Sequence, residues 1–130
     1  MATTRLIPMH VIKGKTASQS VEERLKYAMN EDKTDKGALV SAYGCDPKTA
    51  ISEMLLCRKQ HEIFSGNFEP VKNDVILYQI RQSFKPGEIT PELAQKIGYE
   101  LAMRFIKGKH QFVVSTHVDH AHIHNHIIFN

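Results

Sequence analysis

The sequence predicts an α+β domain: a two-layer sandwich with an antiparallel or mixed sheet, helices on one face and an open face on the other. Three observations support this class. Strand-like and helix-like segments alternate in the order β-α-β-α-β-α-β-β over 130 residues, a length that suits one domain with its own core. The helical segments repeat apolar residues every three or four positions, and the last two strands have the pattern of a hairpin. The open face is where we expect a substrate to bind.

The chain is predicted to begin with a strand and a helix. Residues 4–12 alternate loosely between apolar and polar side chains, as a strand does. Ser20 and Glu23 match a capping-box pattern, and the apolar residues after them predict a helix that ends near Asn30. Tyr27 therefore lies in the last turn of this helix.

A second strand and helix are predicted after a charged loop. Residues 38–43 suit a short strand. Asp46 as a cap, with Pro47 in the first turn, favours a helix that runs to about Gln60.

The third strand and helix carry most of the expected core. Residues 73–84 have apolar side chains on both faces, which is typical of a central strand. Thr90 and Pro91 suit the start of a helix that ends at residues 107–109. Its apolar residues recur every four positions and are expected to be buried against the sheet: Leu93, Ile97, Leu101 and Phe105, packed on Val75, Leu77, Val114 and Ile127.

Composition restricts the class of protein only broadly. The formal net charge of +3 and the pI near 8.9 suit a polyanionic partner without identifying one. Cys45 and Cys57 lack CxxC spacing, so we expect free thiols in a reducing cytoplasm. Residues 1–16 lack the apolar stretch of a signal peptide, and no apolar run approaches the length of a membrane span.

Histidines are concentrated at the end of the chain, where residues 117–130 hold five of the eight. Side chains two apart on a strand share a face, so His122, His124 and His126 are predicted to lie on one side. If residues 112–118 form the partner strand and residues 119–122 the turn, His117 falls opposite His124 and joins that face.

Three neutral imidazoles without a cysteine, with room for water or substrate, indicate an open catalytic site for a divalent metal rather than a closed structural one. An affinity tag or scattered surface histidines are the alternatives. A tag would be an uninterrupted run, whereas Ile123, Ile127 and Phe129 alternate with the histidines as in a half-buried strand. The pattern therefore favours a metal site.

Tyr27 is the candidate nucleophile. Its hydroxyl is a poor nucleophile at neutral pH, because the reference pKa of tyrosine lies near 10, but a metal that draws charge from a phosphate makes the phosphorus open to attack. Taken alone, an amphipathic tyrosine on a helix flank is the more frequent explanation of such a residue.

Three stretches carry a resemblance to a known family. Residues 26–34 place a tyrosine shortly before an Asn-Glu-Asp-Lys-Thr segment, and residues 82–88 run Gln-Ser-Phe-Lys-Pro-Gly-Glu into a helix start. Residues 117–130 contain His-x-Asp, then His-x-His and a final Asn. The three resemble the motifs of relaxases, the mobilisation nucleases of conjugative elements, and in particular the relaxase/mobilisation nuclease family that includes the T-DNA border nucleases.

The third stretch admits two ligand pairs. His122-Ile-His124 matches the histidine-hydrophobic-histidine signature of this endonuclease superfamily, while His124-Asn-His126 has a polar central residue. Spacing from Asp119 and Asn130, both of which fit the family pattern, favours His124 and His126 with His117 as the third ligand. By the resemblance, Asp119 orients a ligand imidazole by accepting its other N–H.

The resemblance implies that residues 1–130 form a relaxase domain, which we expect to be truncated because the chain stops at the third motif. It implies a site- and strand-specific endonuclease and transesterase that nicks single-stranded DNA at a transfer origin through a 5′-phosphotyrosine on Tyr27. Mg²⁺ or Mn²⁺ is the implied cofactor. Accessory relaxosome proteins and a type IV secretion coupling protein are the implied partners, in a bacterial cytoplasm from which the protein travels with the DNA.

Other residues are expected to contact DNA or the ligand imidazoles: Lys33, Arg81, Ser83, Lys85, Glu88, His120, His122 and Asn130. Two other functions fit the same residues. One is a metal-dependent phosphodiesterase that uses metal-bound water, with Tyr27 only structural. The other is a non-catalytic, metal-dependent DNA-binding remnant of a relaxase.

Overall fold

The computed structural model describes residues 3–65, 75–119 and 121–130. The strands are β1 (Thr3–His10), β2 (Val40–Tyr43), β3 (Val75–Ser83), β4 (Phe112–His117) and β5 (His124–Phe129). The helices are α1 (Ala17–Ala28), α2 (Ala50–Ser65) and α3 (Pro91–Ile106). This order of elements matches the sequence prediction. In the described part of the chain, no helix is both long and apolar enough to span a membrane.

The five strands form one open sheet in the order β1-β3-β5-β4-β2, and every neighbouring pair is antiparallel. The predicted α+β class is thus confirmed, because the structure is an open antiparallel sheet with three helices. The predicted terminal hairpin is also present, since β4 pairs with β5 and His117 lies opposite His124. β5 is central, between β3 and β4, which places its histidines in the middle of the sheet.

The two faces of the sheet are covered differently. Helix α3 packs against one face, where Val114 and Ile127 are fully buried. Helices α1 and α2 pack against the other face around Val113 and Ile128. Part of this face, which was predicted to be the open one, is therefore covered by helices, and the histidines lie beside the end of α1. Helices cover the apolar part of this face because removing apolar surface from water stabilises the fold.

The buried stripe of α3 differs from the predicted one by a single position. The residues that face the sheet are mostly small: Ala94, Gly98, Ala102 and Ile106. Leu93 and Phe105 are 48% and 54% exposed, Ile97 and Leu101 are half-buried, and the four are therefore not the core stripe. The small residues let the helix approach the sheet closely. The stripe of mostly small residues, and not the stripe of large apolar residues, therefore faces the sheet.

On the strand side, Val114 and Ile127 do pack under α3, as predicted. Leu77 instead belongs to the core under α1 and α2, and Val75 is half-buried. Because side chains alternate along a strand, Leu77 lies on the opposite face of the sheet from Val114 and Ile127.

Several predicted ends of elements also differ. The cap of α1 is Thr16, which accepts from the backbone N–H of Gln19 while the Gln19 side chain accepts from Thr16, so the capping box lies four residues before the predicted one. Ser20 lies inside the helix, where its hydroxyl donates to the Thr16 carbonyl. Asp46 accepts from the backbone of Lys48 in a turn, and α2 begins only at Ala50. The Asx turn competes with the helix for the same backbone donors.

The remaining bounds differ by a few residues. The structure ends β1 at His10, starts β2 at Val40 and ends β3 at Ser83, and it extends α2 to Ser65. The predicted strand positions 73 and 74 lie outside the described residues, as does His120.

Candidate metal centre and nucleophile

Three imidazoles meet at the β4–β5 end of the sheet. His117 is the last residue of β4, and His124 and His126 are the first and third residues of β5. The ring centroids are 4.2 Å apart for His117 and His126, 5.0 Å for His124 and His126, and 5.2 Å for His117 and His124. One potential ligand atom from each ring lies within 4.8 Å of the others. A single ion with bonds of about 2.1 Å can be reached by all three rings after small side-chain rotations.

The cluster, here called the histidine triad, is buried and uncharged. Burial lowers the pKa of His117 and of His124, and it lowers that of His126 to about 3, with repulsion from the other two rings as a further cause. Neutral imidazoles are the form that binds a metal.

The surroundings of His126 fit a metal ligand. Within the described residues, both of its ring nitrogens are buried and lack a hydrogen-bond partner. Ser115, its register partner on β4, also has a buried hydroxyl with no partner in the described part of the chain. Buried polar atoms of this kind are costly unless something binds them. The donor set of three imidazoles therefore fits a divalent cation.

Backbone carbonyls orient two of the rings. His117 Nε2 lies 2.8 Å from the Ala28 carbonyl, and His124 Nδ1 lies 3.3 Å from the His122 carbonyl. A carbonyl only accepts, so the ring nitrogen in each contact is the N–H donor. Asp119 was expected to orient an imidazole; its carboxylate accepts a hydrogen bond from Lys33 Nζ at 2.7 Å.

Tyr27 lies beside the triad. It is in the last turn of α1, and its side chain is 55% exposed. Its ring makes edge contacts with His117 and His126, with centroids 5.7 and 6.1 Å away. The structure therefore brings the candidate nucleophile and the candidate ligands together.

The loop after α1 is attached to β4. The backbone N–H of Val118 donates to the Lys33 carbonyl at 2.8 Å, and that of Thr116 donates to the Leu39 carbonyl at 2.9 Å. Lys33 Nζ lies 5.3 Å from the centroid of the Tyr27 ring, and its hydrogen bond with Asp119 raises the pKa of Lys33. The ammonium group is therefore a fixed positive charge next to Tyr27.

A cleft of about 600 Å³ opens beside the triad, between α1, β1 and β3. Tyr27, Arg24 and Arg81 line it together with His124 and His126. Arg81 is the register partner of His126 and is exposed, so its guanidinium lies on the same face of the sheet. An anionic strand in this cleft would meet positive charge on two sides.

The other predicted residues lie at varied distances from this cluster. Ser83 is the register partner of His124 and is half-buried. Lys85 and Glu88 are exposed in the turn before α3, where the Glu88 carboxylate accepts from the Lys85 backbone at 3.2 Å. Asn130 lines a separate cavity of about 500 Å³ at the other end of the sheet.

His122 is exposed in the turn before β5, so it does not share the strand face with His124 and His126 as the period-two pattern predicted. The ligand group that the described residues assemble is His117, His124 and His126.

Three neighbours of the triad were missed by the sequence analysis. The Ala28 carbonyl cannot be recognised from sequence. Ser115 lies two residues before His117 on the same strand, so the strand period that identified the histidines could have found it. Arg24 lies one helical turn before Tyr27, which places it on the same helix face.

Comparisons with known proteins give a consistent answer. Residues 27–130 match the family described as "Relaxase: MobA/VirD2-like, nuclease domain". The chain is 37% identical to the "Group II intron-interrupted relaxase LtrB" of Lactococcus lactis subsp. cremoris strain MG1363, over 122 residues that cover 80% of this chain and 22% of that protein. It is also similar to two "Protein rlx" sequences of Staphylococcus aureus, at 34% and 37% identity over the whole chain and 32% and 33% of those proteins. The chain thus spans about a fifth to a third of the length of these relatives.

Proposed function

Because this chain belongs to the relaxase family with a MobA/VirD2-like nuclease domain, we propose that it nicks one strand of DNA at a transfer origin by transesterification. Tyr27 is the nucleophile, and the 5′ phosphate of the cut strand becomes attached to it. The observation that carries this proposal is the edge contact of the Tyr27 ring with two rings of the histidine triad. A nucleophile and a set of metal ligands within one contact distance match what attack on a phosphodiester requires.

The triad is proposed to hold the cofactor. His117, His124 and His126 would each give one ring nitrogen, and Mg²⁺ or Mn²⁺ bound there would supply positive charge to the phosphate oxygens. His126 supports this role best, since both of its nitrogens are buried without a partner within the described residues.

The chemical step exchanges one phosphoester for another. A bond forms between Tyr27 Oη and phosphorus, and the bond between phosphorus and the 3′ oxygen breaks. The phenol proton is released to solvent, and the departing 3′ oxygen takes a proton from solvent, so the step consumes no net proton and no nucleotide. Since the phosphoester energy is retained, the 3′ hydroxyl of a later strand can reverse the reaction and rejoin the DNA.

Positive side chains are proposed to hold the strand during this exchange. Arg81 lies in the cleft on the face of the triad, and Lys33 lies above the Tyr27 ring. Both are proposed to contact phosphates of the bound strand. Asp119 is a positioning residue in this proposal, because its carboxylate holds the Lys33 ammonium at 2.7 Å.

The biological setting is inferred from the relatives. One is named a relaxase, and the family resemblance implies mobilisation of conjugative DNA. We therefore propose single-stranded transfer-origin DNA as the substrate and accessory relaxosome proteins and a type IV secretion coupling protein as partners. The proposed location is the bacterial cytoplasm, followed by transfer to the recipient together with the DNA.

The test is a denaturing gel after incubation with Mn²⁺ and a single-stranded oligonucleotide that spans the transfer origin. One sample carries the label at the 3′ end and a matched sample at the 5′ end. A 5′-phosphotyrosine predicts that only the 3′-labelled strand migrates with the protein, while the 5′-labelled product is free and ends in a 3′ hydroxyl.

Other patterns on the same gel would contradict the proposal. Cleavage with neither label on the protein indicates hydrolysis by water, and an adduct of the 5′-labelled strand indicates the opposite polarity. Binding without cleavage in any metal indicates a DNA-binding remnant.

A further inference from the structure

A row of polar side chains crosses the sheet on the face opposite the triad. Gln82, Asn125 and Thr116 are register partners on β3, β5 and β4, and all three are buried. Asn125 lies between the two triad residues of β5, and its side chain points the other way because consecutive strand residues alternate. Ile127 continues the same face with an apolar side chain. A buried amide at position 125 is therefore an exception to the pattern of its strand.

The Asn125 amide joins three elements through three hydrogen bonds, two donated by its nitrogen and one accepted by its oxygen. Its Nδ2 donates to Gln82 Oε1 at 3.0 Å and to the Ala94 carbonyl at 2.8 Å. Its Oδ1 accepts from the Thr116 hydroxyl at 2.6 Å. One side chain thus connects β5 to both neighbouring strands and to α3. Buried hydrogen-bond networks resist displacement, because moving one member leaves a polar group without a partner.

Helix α3 is shaped to fit this amide. A Cβ at Gly98 would lie 2.6 Å from Asn125 Nδ2 and 2.9 Å from its Cγ, which is closer than real Cβ atoms come. Glycine is among the least favourable residues in the interior of a helix. Its presence in the middle of α3 is therefore accounted for by the approach of the helix to Asn125.

We propose that Asn125 is a positioning residue for the metal centre, an inference that rests on the proposed function. By fixing β5 against α3 and its neighbouring strands, the amide sets the rotation of the strand about its axis. The two histidines on either side of it project from the opposite face, so the same rotation sets where their rings point. An apolar residue at 125 would fill the space but leave this rotation to nonspecific packing.

The experiment measures metal binding rather than cleavage. Asn125→Leu keeps the approximate size and removes every hydrogen bond of the amide. Titration calorimetry with Mn²⁺ gives the affinity, and the visible absorption of bound Co²⁺ reports the ligand geometry. We expect the dissociation constant of N125L for Mn²⁺ to rise about 10- to 100-fold, the range typical of groups that orient metal ligands, and the Co²⁺ spectrum to change.

Two further variants make the test decisive. Gly98→Ala keeps Asn125 but forces its amide to move, and we expect the same direction of change in affinity and spectrum. Ile127→Val is the matched control: it alters a fully buried residue on the same strand and the same face without touching the amide. It should leave the Co²⁺ spectrum unchanged.

The possible outcomes are distinct. A folded N125L with wild-type affinity and spectrum overturns the inference while leaving the proposed metal site intact. If N125L does not fold, a wild-type spectrum in G98A overturns it equally. An I127V spectrum that changes as much as that of N125L also overturns it, since loss of packing alone would then be sufficient. If the wild-type protein binds neither Mn²⁺ nor Co²⁺, the proposed metal site itself fails and the inference fails with it.

Discussion

Replacing Tyr27 by phenylalanine removes the one oxygen to which the proposed mechanism attaches DNA. The ring remains, so its edge contacts with His117 and His126 at 5.7 and 6.1 Å are retained. The side chain is 55% exposed, and such surface changes alter the free energy of unfolding by less than about 0.5 kcal/mol. For a domain of 130 residues this corresponds to a shift in Tm of less than about 2 °C.

The expected effect on chemistry is much larger than the effect on stability. Tyr27→Phe cannot form a phosphoester, so the covalent adduct with 3′-labelled DNA should be absent, while Mn²⁺ affinity and binding of single-stranded DNA stay within about twofold of wild type. The measurements are the denaturing gel, Mn²⁺ calorimetry and fluorescence anisotropy of a labelled strand. Replacing Tyr43, Tyr78 and Tyr99 in turn by phenylalanine provides matched controls that should retain the adduct.

Either of two results would refute the assignment: an adduct in the Tyr27→Phe protein, or a phosphotyrosine mapped to another residue by mass spectrometry. Loss of metal binding in the same variant would show instead that the phenol hydroxyl supports the triad. In that case the lost activity could not be ascribed to the nucleophile.

Further predictions concern the triad and the core. His126→Ala should weaken Mn²⁺ binding at least tenfold and abolish the adduct, and chelation of the metal should abolish the adduct in wild type; calorimetry and the gel check both, and an adduct that persists in EDTA contradicts them. Burial lowers the pKa of His126 to about 3. Below pH 6.5, His126 therefore binds a proton in the unfolded chain but stays neutral in the folded, metal-free protein. The free energy of unfolding of the metal-free protein should therefore fall as the pH drops below about 6.5, by up to about 1.4 kcal/mol per pH unit for this group. Urea titrations at several pH values measure this dependence, and in His126→Leu the free energy of unfolding should change less with pH. Leu25→Ala, at a fully buried position, should cost about 2 to 5 kcal/mol, whereas Leu93→Ala, at a position 48% exposed, should cost less than about 1 kcal/mol; equal costs would contradict the assigned face of α3.

The terminal hairpin was predictable because two independent patterns agreed on it. Period-two apolar residues fixed the faces of β5, and the position of the turn fixed the register that sets His117 opposite His124. The choice of His124 and His126, with His117 as third candidate ligand, came from the family resemblance, because the strand pattern alone left His122 as an alternative. His122 was assigned to the face of His124 and His126 by the period of two alone, although the predicted turn included residue 122, and β5 begins only at His124.

The face of α3 was not predictable from apolar spacing alone. Leu93 and Ile97 are four positions apart, as are Ala94 and Gly98, so two adjacent stripes fit the helical period equally well. The small stripe is inside because Asn125 and Val114 occupy the space that large side chains would need. This competition involves residues far apart in the chain, and local periodicity does not report it.

The contact between Tyr27 and the triad could be anticipated only through the family resemblance. Spacing along the chain does not relate residues 27 and 117, and the hydrogen bonds that join the loop after α1 to β4 are made by backbone groups. Backbone partners of this kind are available at almost any residue, so they leave no signature in composition or motif.

The hydrogen bond from His117 to the Ala28 carbonyl connects the proposed metal site to the end of α1. A neutral imidazole carries one proton, and the carbonyl at 2.8 Å requires that proton on Nε2. The lone pair is then on Nδ1, which is the nitrogen that would coordinate an ion in the proposed metal site. One proton on His117 therefore has two effects. It leaves Nδ1 as the proposed ligand atom, and it anchors the end of the helix that carries Tyr27.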